Sequence, residues 1–520
     1  MKNKIYYGDN LEVLRRYIKD ESVDLCYIDP PFNSKRNYNQ IYNNVGKEDK
    51  AQAQAFIDTW VWDDYANKGL LEIQSNYNGV FTEQSIDLIT GLEKVLKKGA
   101  LLAYLVSMTL RVAEIHRVLK PTGSFYFHCD PTASHYLKLV IDAIFCPKGG
   151  ELQNEIVWHY SGWNAKLKES FSKRHDIIFF YSKKSGQTFN SFVIPYSSEE
   201  EYLKLRKQKV LSDEQGNKYV LSDAGGGKRV KRYLAEAMDY GKPVSDVWTL
   251  DKINNSSKER MGYPTQKPES LLERIIKASS NEGDVILDVY CGCGTTVAVA
   301  EKLKRHWIGV DITYQSISLI LKRLEDNFGS DFTQSVIDSK TQQIIPASLE
   351  INGVPKDIDS AVALANKKDD RTRKEFEKWI ILTYSKNRAI INEKKGGDKG
   401  IDGIAYIPDY NDKGEIEHKK VLFSVKSSKT LTPSMINELN GVVDREKAAC
   451  GIFLCLYPAP NLVKASKEFG RYYNKLVNND YPKIQVISVA DIFAGQFIEL
   501  PNVAQVLKTA SQHSTQSSLF

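Results

Sequence analysis

The sequence predicts an α/β protein: an open, largely parallel sheet with crossover helices, divided by a long insertion and followed by a second, smaller α/β unit. Three observations carry this. Apolar runs that stop at loop-forming residues alternate with stretches of helical periodicity at the start and end of roughly the first 330 residues. The alternation breaks between about Glu151 and Val247 and then resumes. A polar, mixed stretch from about Gly329 to Lys368 precedes a further set of helix and strand patterns.

Length and composition agree with several domains. A chain of 520 residues exceeds what one hydrophobic core organises, and 42% hydrophobic with 26% charged residues is ordinary globular usage. Whole-chain disorder and fibrous or collagen-like roles are thereby excluded. The net charge of +6 permits a polyanionic partner without demonstrating one. The most apolar stretch, Ala100 to Met108, is about half of the roughly 20 residues a spanning helix needs, so no membrane association is expected. The N-terminus lacks a signal-peptide apolar region, and seven scattered cysteines do not form a secreted disulfide framework. A reduced, cytoplasmic location follows as the expectation. Cys291 and Cys293 form one C-x-C without a second pair at finger spacing, which argues against zinc.

Leu11 to Ile18 has helical spacing, and Val23 to Ile28 is an apolar strand that stops at Asp29-Pro30-Pro31-Phe32. Those residues therefore sit at the carboxyl end of a strand, the edge where open α/β sheets bind ligands. Asn33 to Val80 is polar and studded with aromatics, reading as long loops with one helix. Ile86 to Leu119 is helical, Leu119 to Gly123 is a turn, Ser124 to Cys129 a strand and Ala133 to Phe145 a helix. Within the insertion, strands Glu155 to Tyr160 and Asp176 to Ser182 are separated by Gly-containing loops. A basic run there includes Lys228, Arg229, Lys231 and Arg232, the residues expected to touch DNA phosphates. The core then resumes with helix Glu269 to Ser280, strand Val285 to Tyr290, a glycine turn, helix Thr295 to Lys304, strand Trp307 to Asp311 and helix Gln315 to Asn327.

Two motifs carry chemistry. Val285 to Thr296 is a strand, a Gly292-Cys-Gly294 turn and a helix start, and Asp311 lies 19 residues after Gly292 at the end of the next strand. The glycines let backbone N–H groups approach a ligand, and the acid suits a ribose hydroxyl pair. This turn alone does not separate nicotinamide, flavin and S-adenosylmethionine sites. Asp29-Pro30-Pro31-Phe32 decides between them. Methylating an exocyclic amine requires acceptors for its N–H groups, because the lone pair is delocalised into the ring until the nitrogen becomes tetrahedral. Asp29 offers a carboxylate, Pro30 a carbonyl held by Pro31, and Phe32 a ring to stack on an extruded base.

With these motifs in this order, the sequence resembles the β-class amino-methyltransferases of DNA, from Lys4 to about Asn327. The resemblance also rests on Tyr7-Gly-Asp-Asn10, Asn154-Glu-Ile-Val-Trp158, Lys173 to Tyr181 and Tyr263-Pro-Thr-Gln-Lys-Pro268. It implies a Rossmann-like S-adenosylmethionine-dependent core interrupted by a target recognition insertion. It further implies that Asp9, Thr265, Gln266 and Lys267 border the cofactor, with Asp288 and Gly292 near its methionine end, Asp311 at its ribose, and Tyr290 and Gly294 also binding it. Val289, Tyr290 and Cys293 replace the Pro, Phe and Ser usual in the cofactor loop, and Tyr290 keeps a stacking ring. Cytosine C5 chemistry needs a cysteine nucleophile, a Pro-Cys dipeptide in that family, and no proline here precedes a cysteine. Protein glutamine methyltransferases place the cofactor loop first, the reverse of this order. Cytosine N4 remains open as the alternative; in the family the sequence resembles it pairs more often with Ser at the first motif position, so Asp29 favours adenine N6.

Phe376 to Ile380 opens an amphipathic helix, followed by Gly396 to Ile404 and the strand Val421 to Lys426. Here the sequence resembles Mrr-like nucleases of the PD-(D/E)XK type over about Arg371 to Gln496. The resemblance implies that Glu377, Asp402 and Lys426 form a nuclease-type site with Mg²⁺ on Asp402. That pattern wants Glu or Gln two residues before the lysine, where Ser424 stands.

The expected organisation is a catalytic half of the methyltransferase core at 1–150, a target recognition insertion at 151–247 and a cofactor half at 248–328. A linker at 329–370, a restriction-endonuclease-type domain at 371–502 and a tail at 503–520 follow. The expected activity is site-specific methylation of adenine N6 in double-stranded DNA by base flipping. Cytosine N4 methylation and a bifunctional protein with a metal-dependent nuclease are the alternatives. A homodimer is allowed but not required.

Overall fold

Val23–Ile28 lies at the middle of a nine-stranded sheet and is buried along its whole length, as a strand covered on both faces must be. In spatial order the strands are Val247–Thr249, Glu151–His159, His175–Ser182, Leu119–Cys129, Val23–Ile28, Val285–Asp288, His306–Asp311, Asn3–Tyr7 and Leu349–Asn352. Neighbours run parallel except around His175–Ser182, which is antiparallel to both strands beside it. This computed structural model describes residues 2–31, 36–44, 47–58, 60–161, 171–196, 198–223, 225–254, 257, 259–263, 265–329, 332, 336–337, 344–345, 348–355, 357–366, 370–385, 389–392, 400–496 and 498–501.

Helices cover both faces. Asn10–Tyr17, Glu83–Leu96, Ala100–Val118 and Ser134–Phe145 pack on one, centred on Leu102, Leu105, Val112, Ile141 and Phe145. Glu269–Ser279, Thr295–Lys302 and Tyr314–Phe328 cover the other through Leu272, Ile276, Val299, Ile317 and Ile320. Several helix starts read from the sequence hold within a residue or two because caps fix them: Asp9 accepts from Glu12 N, and Thr313 from Ser316 N. The stretch Ile86 to Leu119 instead divides into two helices, Glu83–Leu96 and Ala100–Val118, and the helix expected to open at Phe376 starts at Asp370.

Four expectations need correction. Glu151–His159 and His175–Ser182 lie within the main sheet, so the inserted unit proper lies between Ser182 and Val247. It holds a small sheet of Leu211–Ser212, Lys218–Asp223 and Arg229–Tyr233 over a core of Tyr196, Tyr202, Val220 and Leu234. An antiparallel hairpin breaks the βαβ rhythm without leaving the sheet, which is why periodicity alone put the boundary too early. Within the aromatic stretch, Arg36–Asn44 and Lys47–Asp58 pair as a hairpin before the helix Asp64–Ser75. The alternation Ala51-Gln-Ala-Gln-Ala-Phe56 is the period-2 signal for it. The turn expected at Leu119 to Gly123 is an irregularity inside one long strand, where the register jumps between Val23 and Leu25. Finally, the stretch expected as linker contributes Leu349–Asn352, parallel to Asn3–Tyr7 at the sheet edge, and the helix Ile358–Ala365.

The C-terminal unit has a five-stranded sheet in the order Ile390–Ile391, Gly403–Tyr410, Ile416–Lys426, Cys450–Cys455, Ile484–Ser488. Along Ile416–Lys426, Leu422 faces Ile436, Leu439 and Val443 from the helix Pro433–Arg445. Val421, Phe423 and Val425 belong to the cluster with Phe376, Trp379 and Ile380 of the helix Asp370–Tyr384. That second cluster runs without interruption into Ile5, Leu349 and Ile320 of the large sheet and its helices. Among the described residues, no helix is long and apolar enough to cross a membrane.

Candidate active site

The carboxyl ends of Asn3–Tyr7, Val23–Ile28, Val285–Asp288 and His306–Asp311 bring Asp9, Asp29, Asp288 and Asp311 to one edge of the parallel sheet. Asp29 is largely buried, and its two oxygens differ. Oδ2 pairs with Lys267 Nζ, whereas Oδ1 is buried without a hydrogen-bond partner among the described residues. A buried acceptor left open costs about 1–3 kcal/mol, which marks it as a place for a ligand donor. Pro30 is buried and Pro31 half-buried beside it. Phe32 lies outside the described residues.

The glycine turn is built for close approach. Gly292 has φ +52°, and a Cβ there would stand 3.1 Å from the Tyr263 ring. Gly294 has φ +77°, and a Cβ there would meet Ile320 at 2.8 Å. The Gly292 amide donates to Asp311 Oδ2 at 2.9 Å, and Asp311 Oδ1 accepts from Thr313 N at 2.9 Å. Burial raises Asp311 to about 6 despite those donors. It raises Asp288 further, to about 7, with the charges of Asp29 and Asp311 adding to the effect against hydrogen bonds from Thr296 and Tyr290 N. Tyr290 is half-buried against Met108, its hydroxyl 3.9 Å from the sulfur.

The structure gives several expected cofactor residues other contacts. Asp9 caps the first helix and pairs with Arg111 at 3.1 Å. Gln266 fastens its own loop, accepting from Met261 N at 2.8 Å and donating to Glu259 O at 2.6 Å. Thr265 offers its carbonyl to Lys267 Nζ at 3.5 Å, and Lys267 reaches Asp29. The Thr265-Gln266-Lys267 segment thus ties the loop before the helix Glu269–Ser279 to Asp29.

Sequence reading missed residues that meet only through sheet pairing. Arg111 donates to Asn10 Oδ1 at 2.6 Å, and Asn10 donates to Val289 O at 2.8 Å, tying the first loop to the glycine turn. Tyr27, His128, Asp176 and Tyr160 form a hydrogen-bonded row beside Asp29. Arg323, wholly buried, donates to Thr295 Oγ1 at 2.9 Å and Glu269 Oε1 at 3.0 Å, bracing the helix after Gly294. Arg111, His128 and Arg323 carry no local signal in the sequence, whereas Asn10 and Asp176 lie within the stretches Tyr7 to Asn10 and Lys173 to Tyr181 without their roles being readable there.

Of the four basic residues expected to touch phosphates, Lys228 and Arg229 are exposed on the hairpin of the inserted unit. Lys231 lies over the Tyr219 and Tyr233 rings at 4.5 and 4.7 Å and pairs with Asp213 at 3.3 Å, and Arg232 lies 5.1 Å over Tyr240. In the C-terminal unit, burial raises Glu377, with Lys374 and Lys426 lowering it and Asp402 raising it, so these groups share one site. Glu377 accepts from Lys374 at 2.6 Å, and Asp402 Oδ2 accepts from Val425 N at 2.7 Å. Ser424 is buried where a third oxygen ligand would stand. Two carboxylates are one short of a convincing Mg²⁺ set, and no group of three metal-ligating side chains occurs among the described residues.

Comparison with known proteins decides the family. Residues 23–322 match the DNA methylase family of N6- and N4-specific enzymes. The chain belongs to that family. Residues 369–472 match the restriction endonuclease family of Mrr-type catalytic domains, so the C-terminal unit is restriction-endonuclease-like. The DNA adenine methyltransferase YhdJ of Escherichia coli is 28% identical over 322 residues, 62% of this chain and 82% of that one. The type II methyltransferase M.HpaI of Haemophilus parainfluenzae is 31% identical over 216 residues, 41% of this chain and 57% of that one. Among solved structures, the cytosine-N4-specific PvuII DNA methyltransferase aligns at 14% identity with a TM-score of 0.35, over 61% of this chain and 85% of that one. This DNA methylase therefore joins a methyltransferase to a restriction-endonuclease-like unit in one polypeptide.

Proposed function

We propose that the chain methylates the N6 amine of adenine at a specific site in duplex DNA. The observation that carries this is Asp29 Oδ1, a buried acceptor open at the carboxyl edge of the sheet beside the Pro30-Pro31 turn. The acidic first position of that motif and the similarity to an adenine methyltransferase support adenine over cytosine.

The donor set fits S-adenosylmethionine. Gly292 is a cradle that any side chain would close against Tyr263, and Asp288 and Asp311 are buried acids able to accept from ammonium and ribose hydroxyl donors. S-adenosylmethionine, when bound, supplies the electrophilic methyl group. Asp29 and the Pro30 carbonyl accept the two N–H bonds of the extruded base, which draws the amine toward tetrahedral geometry and frees its lone pair. Phe32 stacks on the ring. Lys267 pairs with Asp29 Oδ2 and fixes the orientation of the carboxylate. Lys228 and Arg229 meet phosphates, which makes affinity fall steeply with salt. For the C-terminal unit, Glu377 and Asp402 are the carboxylates that would hold Mg²⁺, and with Ser424 beside them no hydrolytic step is assigned.

The test is incubation of mixed-sequence duplex DNA with the protein and S-adenosylmethionine, followed by nucleoside mass spectrometry. N6-methyladenine is expected, falling at least a thousandfold in Asp29→Ala. N4-methylcytosine instead would overturn the choice of base, and no modified base would overturn the reading as a whole.

A further inference from the structure

His128 is wholly buried at the end of Leu119–Cys129, where pairing with Val23–Ile28 places it beside Asp29 and pairing with His175–Ser182 places it beside Asp176. Its Nδ1 lies 2.9 Å from the Tyr27 hydroxyl and 4.0 Å from Asp29 Oδ1, the oxygen without a partner. Its Nε2 lies 3.3 Å from Asp176 Oδ2, and Asp176 Oδ1 accepts from Tyr160 at 3.1 Å. One tautomer satisfies both sides: Nε2–H donates to Asp176, and Nδ1 accepts from Tyr27. Burial alone would raise Asp176, but the hydrogen bond from His128, with Lys267 and Lys252 nearby, holds it below the ordinary carboxyl value. A carboxylate orienting an imidazole whose other nitrogen faces the reacting group is the arrangement of a general base with its positioning partner.

Resting on the reading of the site as an amino-methyltransferase, we infer that His128 is the terminal acceptor of the proton released by the methylated amine. As the N–C bond forms and the C–S bond breaks, the nitrogen becomes cationic and gives one N–H proton to Asp29 Oδ1. That proton then passes to Nδ1 of His128 as the imidazole turns from Tyr27, and Asp29 returns to the ionised state it needs for the next amine. Asp176 positions the ring and stabilises the imidazolium. Sequence gives no hint of this, because residues 29, 128 and 176 are joined only across three strands.

Among the described residues, the titratable groups beside His128 include Tyr27 and Asp29 on one side and Asp176 on the other. Tyr160, Lys252, Lys267 and Asp130 surround Asp176 in turn. Asp176→Asn removes the carboxylate that accepts from Nε2–H and balances the charge of a protonated ring. The experiment is the single-turnover methylation rate of full-length protein on duplex DNA with S-adenosylmethionine, from pH 5 to 9, for wild type, His128→Gln and Asp176→Asn. Wild type is expected to gain rate as pH rises through an acid limb. In His128→Gln the rate at neutral pH falls at least tenfold and the limb changes shape, with DNA and cofactor affinities within twofold of wild type. In Asp176→Asn the limb moves to lower pH. A wild-type rate and limb in His128→Gln would overturn the inference. If that variant fails to fold, an unmoved limb in Asp176→Asn overturns it, because the limb then does not depend on the His128–Asp176 pair. Methylated base from the wild type upholds the site reading whichever way the variants behave.

Discussion

Asp288 and Asp311 give the site its dependence on pH. Both are raised above the ordinary carboxyl value of 3.8, Asp288 to about 7 and Asp311 to about 6, with burial as the first cause. The folded state therefore binds more protons than the unfolded state between about pH 4 and 7, and stability contributed by these groups falls as pH rises through that window. Ligand binding carries the opposite sign: a carboxylate must be ionised to accept from a ribose hydroxyl or an ammonium, so cofactor affinity is expected to rise from pH 5 to pH 8. Isothermal titration of the cofactor at several pH values measures this. Asp288→Asn should flatten the upper part of the rise, and an affinity that falls toward pH 8 in the wild type would count against ionised carboxylates as the ligands. The residues behind these expectations were legible in sequence because each sits in a local motif. His128 and Asp176 were not, since sheet register brings them together beside Asp29, nor was Arg111, which reaches Asp9 and Asn10 from the helix Ala100–Val118.

At the scale of elements, the glycine turn and the Asp402 strand start make contrasting predictions. Gly294 adopts φ +77° under Ile320, so Gly294→Ala adds both a strained backbone and a clash. A loss of about 2 kcal/mol is expected, checked by urea denaturation, together with weaker cofactor binding because the helix Thr295–Lys302 shifts on its Arg323 brace. Asp402 serves the fold of its own sheet by accepting from Val425 N. Asp402→Ala is therefore expected to lower stability by about 1–3 kcal/mol by leaving a buried N–H unmatched. DNA incubated with wild-type protein and Mg²⁺ is expected to stay intact, and Mg²⁺-dependent cutting lost in Asp402→Ala would contradict the reading of Ser424 as a missing ligand. Elements with one dominant period, such as Val23–Ile28 and Glu269–Ser279, were readable to within a residue or two. The hairpin from Arg36 and the edge strand Leu349–Asn352 were not, because polar strands carry little hydrophobic signal and their pairing partners lie elsewhere in the fold.

Across the whole molecule, one buried carboxylate joins the two units. Glu375 Oε2 accepts from Tyr314 N at 2.9 Å and from the Tyr7 hydroxyl at 3.2 Å, and Oε1 pairs with Lys378 at 3.0 Å. Tyr7 leads into Gly8, whose amide donates to Asp311 O at 3.0 Å, and Tyr314 opens the helix that follows Asp311. Glu375 thus holds the two segments that border Asp311 from a helix, Asp370–Tyr384, that also carries Glu377 toward Asp402 and Lys426. A shared core of Leu349, Leu364, Phe376 and Trp379 makes that helix a rigid connector. Any stiffening of the Asp311 loop by bound cofactor must then be felt along the helix, and by linkage the helix must influence cofactor affinity in return. Glu375→Ala strands two buried donors, so a loss of about 1–3 kcal/mol in stability is expected together with weaker cofactor binding. Hydrogen exchange reads the coupling directly: amides of Asp370–Tyr384 in the wild type should slow when S-adenosylmethionine is added, and the slowing should vanish in Glu375→Ala. If exchange in that helix ignores the cofactor while the Gly292–Asp311 region responds, the two units share a core without sharing a signal, and Glu375 is a structural tie alone.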